Sequence, residues 1–177
     1  DLTLEISAQE SRVEEGQTVV VTVTAQNPRP VDAEVSLTLA LPERLTLDAG
    51  QQSAWKATLP AAQMDENGTF QPSVTTFTLN LTLMPGGKSE QTTLSVEMNV
   101  GTRFYRAKMP MQLCVADVSA IAAVQGGKAG RANIGDTLVY ALEIRNAGAA
   151  DKNVPVDLVL PMGVELVSEL PEGFTQS

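Results

Sequence analysis

The sequence predicts an all-β protein, an antiparallel sandwich of two sheets, and three observations carry that prediction. Short runs of alternating apolar and polar residues recur along the 177 residues, Gly, Pro and Asn turn signals separate them, and no helical period of useful length appears. Period two marks a strand with one face buried, because successive side chains leave a strand on opposite sides.

Leu2, Leu4 and Ile6 alternate with Thr3, Glu5 and Ser7 as a first strand, and Glu14-Glu15-Gly16 is a turn. In the next run Val21, Val23 and Ala25 face one way, Thr22 and Thr24 the other. Asn27-Pro28-Arg29-Pro30 then turns the chain into Val35 to Leu41, where Val35, Leu37, Leu39 and Leu41 share a face. Pro42 ends that run, since proline cannot donate to a ladder in mid-sheet. Leu45 and Leu47 read as a short edge strand, Ala54 to Leu59 as another, and Met64 to Gly68 as a loop with an Asn-Gly turn signal. Phe77, Leu79, Leu81 and Leu83 define the clearest strand. After Pro85-Gly86-Gly87, the run Leu94, Val96, Met98 and Val100 is expected to be its hairpin partner. Tyr105, Ala107, Met109, Met111 and Leu113 form a last strand, which leads almost directly into Val115 to Val124.

The chain also repeats itself. Gly16 to Pro42 returns as Gly135 to Pro161 with a constant offset of 119, and Gly16, Thr18, Val20, Asn27, Asp32, Val35, Leu39, Leu41, Pro42 and Leu47 are identical to their partners. In the second copy Tyr140, Leu142 and Ile144 are expected to face inward, against Ala141, Glu143 and Arg145. The spacing divides the chain into a complete sandwich over residues 1–115 and the N-terminal part of a second over 116–177, because only sixteen residues follow Pro161. Both ends read as fragment boundaries without a signal peptide, and no apolar run reaches the roughly 18 residues a membrane helix needs. Residues Met111 to Asp117 hold neither glycine nor a proline-rich tract, so they should join the units as a short, stiff connection.

Composition limits the chemistry. With 21 acidic and 12 basic residues the net charge is −9, and the basic residues are scattered, so nucleic acid is not an expected partner. Histidine is absent, which removes the commonest general base and the commonest zinc ligand. The single cysteine, Cys114, allows no internal disulfide and reads as a small buried residue near a strand end. No catalytic, cofactor-binding or metal-binding residues are assigned, no cofactor is expected, and the chain reads as not an enzyme. Asp65-x-Asn67-Gly68 opens like a calcium loop but lacks the far carboxylate, so a polar turn is the better reading. Asn67-Gly68-Thr69 and Asn80-Leu81-Thr82 match the glycosylation sequon. Lys56, Lys88 and Lys108, weighed as partners in an isopeptide cross-link, fall on polar faces or in turns. Trp55, the only tryptophan in a chain with 4% aromatics, is expected to pack partly buried over a sheet edge rather than stack on a sugar.

Seven or so such strands in just over 100 residues argue for an immunoglobulin-like sandwich without the Cys-Trp-Cys framework. The segments Gly135-Asp136-Thr137-Leu138-Val139-Tyr140, Ile144-Arg145-Asn146-Ala147-Gly148 and Val156 to Val164 resemble the repeat domain of prokaryotic cell-surface proteins catalogued as a domain of unknown function. The first copy departs from it, with Asn27-Pro28 in place of Asn-x-Gly. The resemblance implies an immunoglobulin-like unit strung in tandem on an exported protein, extracellular or at the cell surface, and it carries no site residues across.

The expected function is therefore a non-catalytic structural or interaction module, a stalk, spacer or adhesive segment, with a cell-surface ligand of unknown kind. Two alternatives stand beside it. One is a subunit of a surface filament completed by strand exchange, with Leu2-Leu4-Ile6 as donor. The other is a sandwich accessory domain of a polysaccharide-degrading enzyme. A protein partner or a second copy is expected to cover the apolar face of the incomplete second unit, and no membrane insertion is expected in this segment.

Overall fold

The computed structural model describes residues 1–126 and 131–175, and among them no residue is helical and no segment is a helix able to cross a membrane. The strands, in order, are β1 (Thr3–Ala8), β2 (Arg12–Glu14), β3 (Thr18–Asn27), β4 (Ala33–Ala40), β5 (Leu45–Leu47), β6 (Ala54–Leu59), β7 (Gln63–Met64), β8 (Phe70–Gln71), β9 (Ser73–Leu83), β10 (Glu90–Val100), β11 (Arg103–Cys114), β12 (Val118–Gln125) and β13 (Val139–Asn146). The first eleven build a sandwich of two sheets, β1-β3-β9-β5 and β2-β11-β10-β4-β6, with the minor hairpin β7-β8 beside it. All pairings are antiparallel except β2 with β11. The edge segment at the N-terminus thus serves both sheets, first as β1 beside β3 and then as β2 beside β11.

Alternation becomes a core because the inward positions of the two sheets face each other. Val19, Val21, Val23 and Ala25 of β3 and Leu79, Leu81 and Leu83 of β9 meet Val35, Leu37 and Leu39 of β4 and Leu94, Val96 and Met98 of β10. Removing such side chains from water contributes about 1.5–3 kcal/mol each. The buried polar exception is Asn27, whose Nδ2 donates to the carbonyls of Val31 and Pro60 at 2.9 Å and of Leu59 at 3.3 Å, while its Oδ1 accepts the Arg29 N–H at 3.0 Å. One side chain therefore fixes the turn out of β3 and the end of β6.

The expected hairpin between the strand of Phe77 to Leu83 and that of Leu94 to Val100 does not form. β9 pairs with β3 and β5, β10 with β11 and β4, and the connection crosses from one sheet to the other. The physical reason is that two strands with the same period suit one sheet or two facing sheets equally, and only burial across the gap decides. Gly86 and Gly87 sit at φ +93° and +73°, a region that favours glycine, and Arg44 donates to the Gly86 and Lys88 carbonyls to hold the crossover.

β13 is β3 displaced by 119 residues, and β12 pairs with it as β1 pairs with β3: Leu4 opposite Ala25 becomes Ala120 opposite Ile144, and Ile6 opposite Val23 becomes Ala122 opposite Leu142. β12 is displaced by only 116 from β1, so the loop between the two strands is three residues longer in the second copy, and it includes residues 127–130, which lie outside the described set. The counterpart of β4, residues 152–159, forms no strand, and β10 and β6, the neighbours of β4, have no counterpart among the described residues.

Candidate functional site

The residues singled out for chemistry do not gather. Trp55 lies half-buried on the edge strand β6, packed on the core with its ring 5.5 Å from Phe77 in an edge-to-face arrangement, and its Nε1 has no partner. Asp65 spends its carboxylate on its own loop: Oδ1 accepts the N–H groups of Asn67 at 3.0 Å and Thr69 at 2.8 Å, and Oδ2 accepts from the Gln71 side chain at 3.0 Å. These bonds, the one from Gln71 foremost, hold its pKa below the usual aspartate value against an opposing desolvation. Cys114 is buried, while Lys56, Lys88 and Lys108 are exposed. Among the described residues no three His, Cys, Asp or Glu side chains converge as a metal site would require. Two shallow, open clefts of about 350 Å³ each are lined by Gln9, Glu10, Arg12, Val13 and Gln17 to Val20, and by Glu97 with Phe104 to Arg106.

What the fold does bring together is the junction between the repeats. β11 ends at Cys114 and β12 begins at Val118, so Val115, Ala116 and Asp117 are the whole connection. The turn after β13 wraps it. Asn146 Oδ1 accepts the N–H of Asp117 at 3.1 Å and of Gly148 at 3.0 Å, and its Nδ2 donates to the Ala150 carbonyl at 2.8 Å. Ala147 donates to Asp117 O at 2.8 Å, and Ala149 and Ala150 donate to Val115 O at 3.0 and 3.2 Å.

The first repeat supplies the other half of the grip. The Ser89 hydroxyl donates to Val115 O at 3.2 Å and accepts the N–H groups of Val115 at 3.1 Å and Ala149 at 3.2 Å, which uses its one proton and both lone pairs. The Arg12 guanidinium donates to the Ala149 carbonyl, and Lys152 stands 3.6 Å from Glu15. Val115 is fully buried and Ala150 is 3% exposed, whereas Val31, the counterpart of Ala150 in the first repeat, is 61% exposed.

Sequence reasoning expected the connection over Met111 to Asp117, of which Met111 to Cys114 belong to β11, and it missed the contacts of Ser89, Arg12 and Gly148. Ser89 reads as an ordinary turn residue. Gly148 carried a signal, as the position where Asn-Ala-Gly replaces Asn-Pro-Arg of the first copy.

Beyond the junction the second repeat presents an open sheet. β12 and β13 form a two-stranded sheet, and β13 lacks, among the described residues, the flanking strand that β9 gives β3. The consequence is legible at equivalent positions. Val21, Val23 and Ala25 are each 0% exposed, while Tyr140, Leu142 and Ile144 are 38%, 47% and 45% exposed. The expected inward face is thus formed by the backbone but not covered.

No family model matches the chain, and no curated protein matches its sequence. Several solved structures are similar in fold. Part of the Escherichia coli alpha-2-macroglobulin is 12% identical over 73% of this chain with a TM-score of 0.49, and the match spans 8% of that chain. The CARDB domain of a Pyrococcus furiosus protein, solved in complex with di-metal ions, is 16% identical over 65% of this chain and 93% of its own, with a TM-score of 0.37. A PapD-like domain of a human protein is 14% identical over 62% of this chain and 82% of its own, with a TM-score of 0.30. Such likenesses concern architecture alone. The architecture is that of an all-β, antiparallel, immunoglobulin-like sandwich.

Proposed function

We propose that the chain is a non-catalytic structural and interaction module, a stiff spacer or adhesive segment of an exported cell-surface protein. The observation that carries this reading is the junction. A three-residue connection held by backbone and side-chain hydrogen bonds from both repeats leaves little freedom for one to pivot on the other, which is what a stalk built of tandem units requires. The likeness of Asn146-Ala147-Gly148 and its flanks to the repeat of prokaryotic cell-surface proteins supports the same assignment. In this reading the units are residues 1–115 and 116–177, and function resides in their spacing and surfaces rather than in a reaction centre.

An antibody raised against the first sandwich tests the location: it is expected to label intact cells of the source, and labelling only after permeabilisation overturns the surface assignment. A second reading, completion of the second repeat by a strand from outside, is favoured by the half-exposed Tyr140, Leu142 and Ile144. Leu2-Leu4-Ile6, the donor expected from the sequence, lies in or beside a strand that is paired here within its own chain, Thr3 to Ala8 with Val21 to Gln26.

A further inference from the structure

The loop between β7 and β8 holds a site for chemistry of its own. Asn67 alone among the asparagines of the chain precedes a glycine. Asn67 and Gly68 are both exposed, and a Cβ built on Gly68 would meet nothing within 4 Å, so no neighbour crowds the backbone that links them. The loop itself is a tight turn. Gly68 donates to the Asp65 carbonyl at 3.0 Å and Asp65 N–H donates to the Thr69 carbonyl at 2.9 Å, while Asp65 Oδ1 accepts the N–H groups of Asn67 and Thr69. Gly68 sits at φ +78°, which closes the turn in a conformation that suits glycine.

We infer that Asn67 is a self-acting deamidation site whose rate is set by the opening of this turn, with water as the only co-reactant. The Gly68 nitrogen gives its proton to water and attacks the side-chain carbonyl carbon of Asn67. A C–N bond forms and closes a five-membered succinimide, while the bond to the side-chain nitrogen breaks and that nitrogen takes up a proton and leaves as ammonia. Water then opens the ring. Addition at the side-chain carbonyl leaves aspartate at position 67, and addition at the backbone carbonyl leaves isoaspartate, whose main chain runs through the former side chain. In the closed turn the Gly68 N–H is committed to the Asp65 carbonyl, so attack waits for the turn to open. The isoaspartate product adds one methylene to the main chain and a carboxylate beside Asp65 and Glu66, and both changes oppose closing the turn again. The effect stays local. β7 and β8 pair only with each other among the described residues, and Met64 and Phe70, opposite one another in that hairpin, are exposed rather than part of the core.

The test incubates the full chain in warm neutral buffer made with heavy-oxygen water, beside a synthetic peptide of the sequence Gln63–Gln71, and follows the Asn67 peptide by mass spectrometry. The expected result is uptake of heavy oxygen and formation of isoaspartate at Asn67, about tenfold slower in the chain than in the peptide because only the open turn reacts. Asp65→Ala, which removes the acceptor from Asn67 and Thr69 and leaves the reacting atoms in place, is expected to speed conversion about fivefold with the circular dichroism of the sandwich unchanged. Asn67→Gln, whose longer side chain closes a five-membered ring no more, should take up no label. After conversion the Thr69 amide is expected to lose protection from exchange while the amides of β3 and β9 keep theirs. No label at Asn67 in the chain over many half-lives of the peptide overturns the site, and so does label spread equally over the other asparagines. Equal rates in the chain, its Asp65→Ala variant and the peptide overturn control by the turn.

Discussion

Gly148 lies so close to Val115 that a Cβ built on it would stand 2.2 Å from the Val115 carbonyl oxygen and 2.5 Å from the Asp117 nitrogen. Both neighbours are backbone and cannot swing aside. The glycine is required here by approach rather than by a left-handed conformation, since only the absence of a side chain lets the turn after β13 close on the connection. Gly148→Ala should push the turn away at a cost of about 1–3 kcal/mol, the usual range for overpacking. Amide exchange checks it: the Ala149 and Ala150 N–H groups, which donate to Val115 O, are expected to lose protection while β3 and β9 keep theirs.

Asn27 and Asn146 are the same residue of the repeat in two surroundings. Each accepts from the N–H two residues on and donates to the carbonyl four residues on. Asn27, however, is fully buried and also satisfies Leu59 and Pro60. Asn27→Ala strands buried carbonyls and should cost about 2–4 kcal/mol, whereas Asn146→Ala at an exposed turn should cost about 1 kcal/mol. Denaturant melts of the two variants, followed by the fluorescence of Trp55 for the first repeat, give the comparison directly. Equal effects would contradict the burial argument.

The main strands of residues 1–115 and their inward faces were legible in the sequence because each rests on local alternation. Val21, Val23, Leu37, Leu39, Leu79, Leu81, Val96 and Met98 do share one core, with Leu41 at its margin. The crossover from β9 to β10 was not legible, since nothing in the alternation of Leu79 or Val96 states which sheet a strand joins. The junction was half legible. The lack of glycine from Met111 to Asp117 pointed to stiffness, but Ser89 is 26 residues from Val115, and its three hydrogen bonds exist only after the fold has formed.

Trp55 keeps an indole N–H buried without an acceptor. A buried unpaired donor costs about 1–3 kcal/mol, so Trp55→Phe removes a penalty while giving up part of the packing against Phe77. The two effects oppose, and the melting temperature of the first repeat is expected to change by less than the equivalent of about 1 kcal/mol, read by circular dichroism. Trp55→Ala, which forfeits the contact altogether, should cost about 3–5 kcal/mol.

The Asp65 carboxylate is held ionised by Gln71, Thr69 and Asn67. Its folded pKa is therefore depressed, and its contribution to the β7–β8 hairpin is fully present above the unfolded aspartate value and is lost as pH falls through the lower, folded value. A pH titration of the Thr69 amide resonance should show a midpoint below that of aspartate in an unfolded peptide. A midpoint at or above it would mean that the three hydrogen bonds do not hold in solution. Calcium at millimolar concentration should leave the midpoint unmoved, because the carboxylate oxygens are committed to the loop.

The last prediction sets two leucines against each other. Leu81 is fully buried between Val19 of β3 and Leu47 of β5, its neighbours in register, while Leu142, on the matching face of the second repeat, is 47% exposed. Leu81→Ala removes packed methyl groups and leaves a cavity, so it should cost about 2–5 kcal/mol. In the free chain Leu142→Ala deletes atoms that already touch water over much of their surface, and it should cost about 1 kcal/mol or less. The difference inverts its meaning when the face is covered. With β13 completed by an added strand, Leu142 becomes the counterpart of Val23, which is fully buried, and the same substitution should then weaken the assembly by a core-like amount. Urea melts of both variants in the free chain make the comparison. A Leu142→Ala cost as large as that of Leu81→Ala in the free monomeric chain would show that this face is already covered within the molecule.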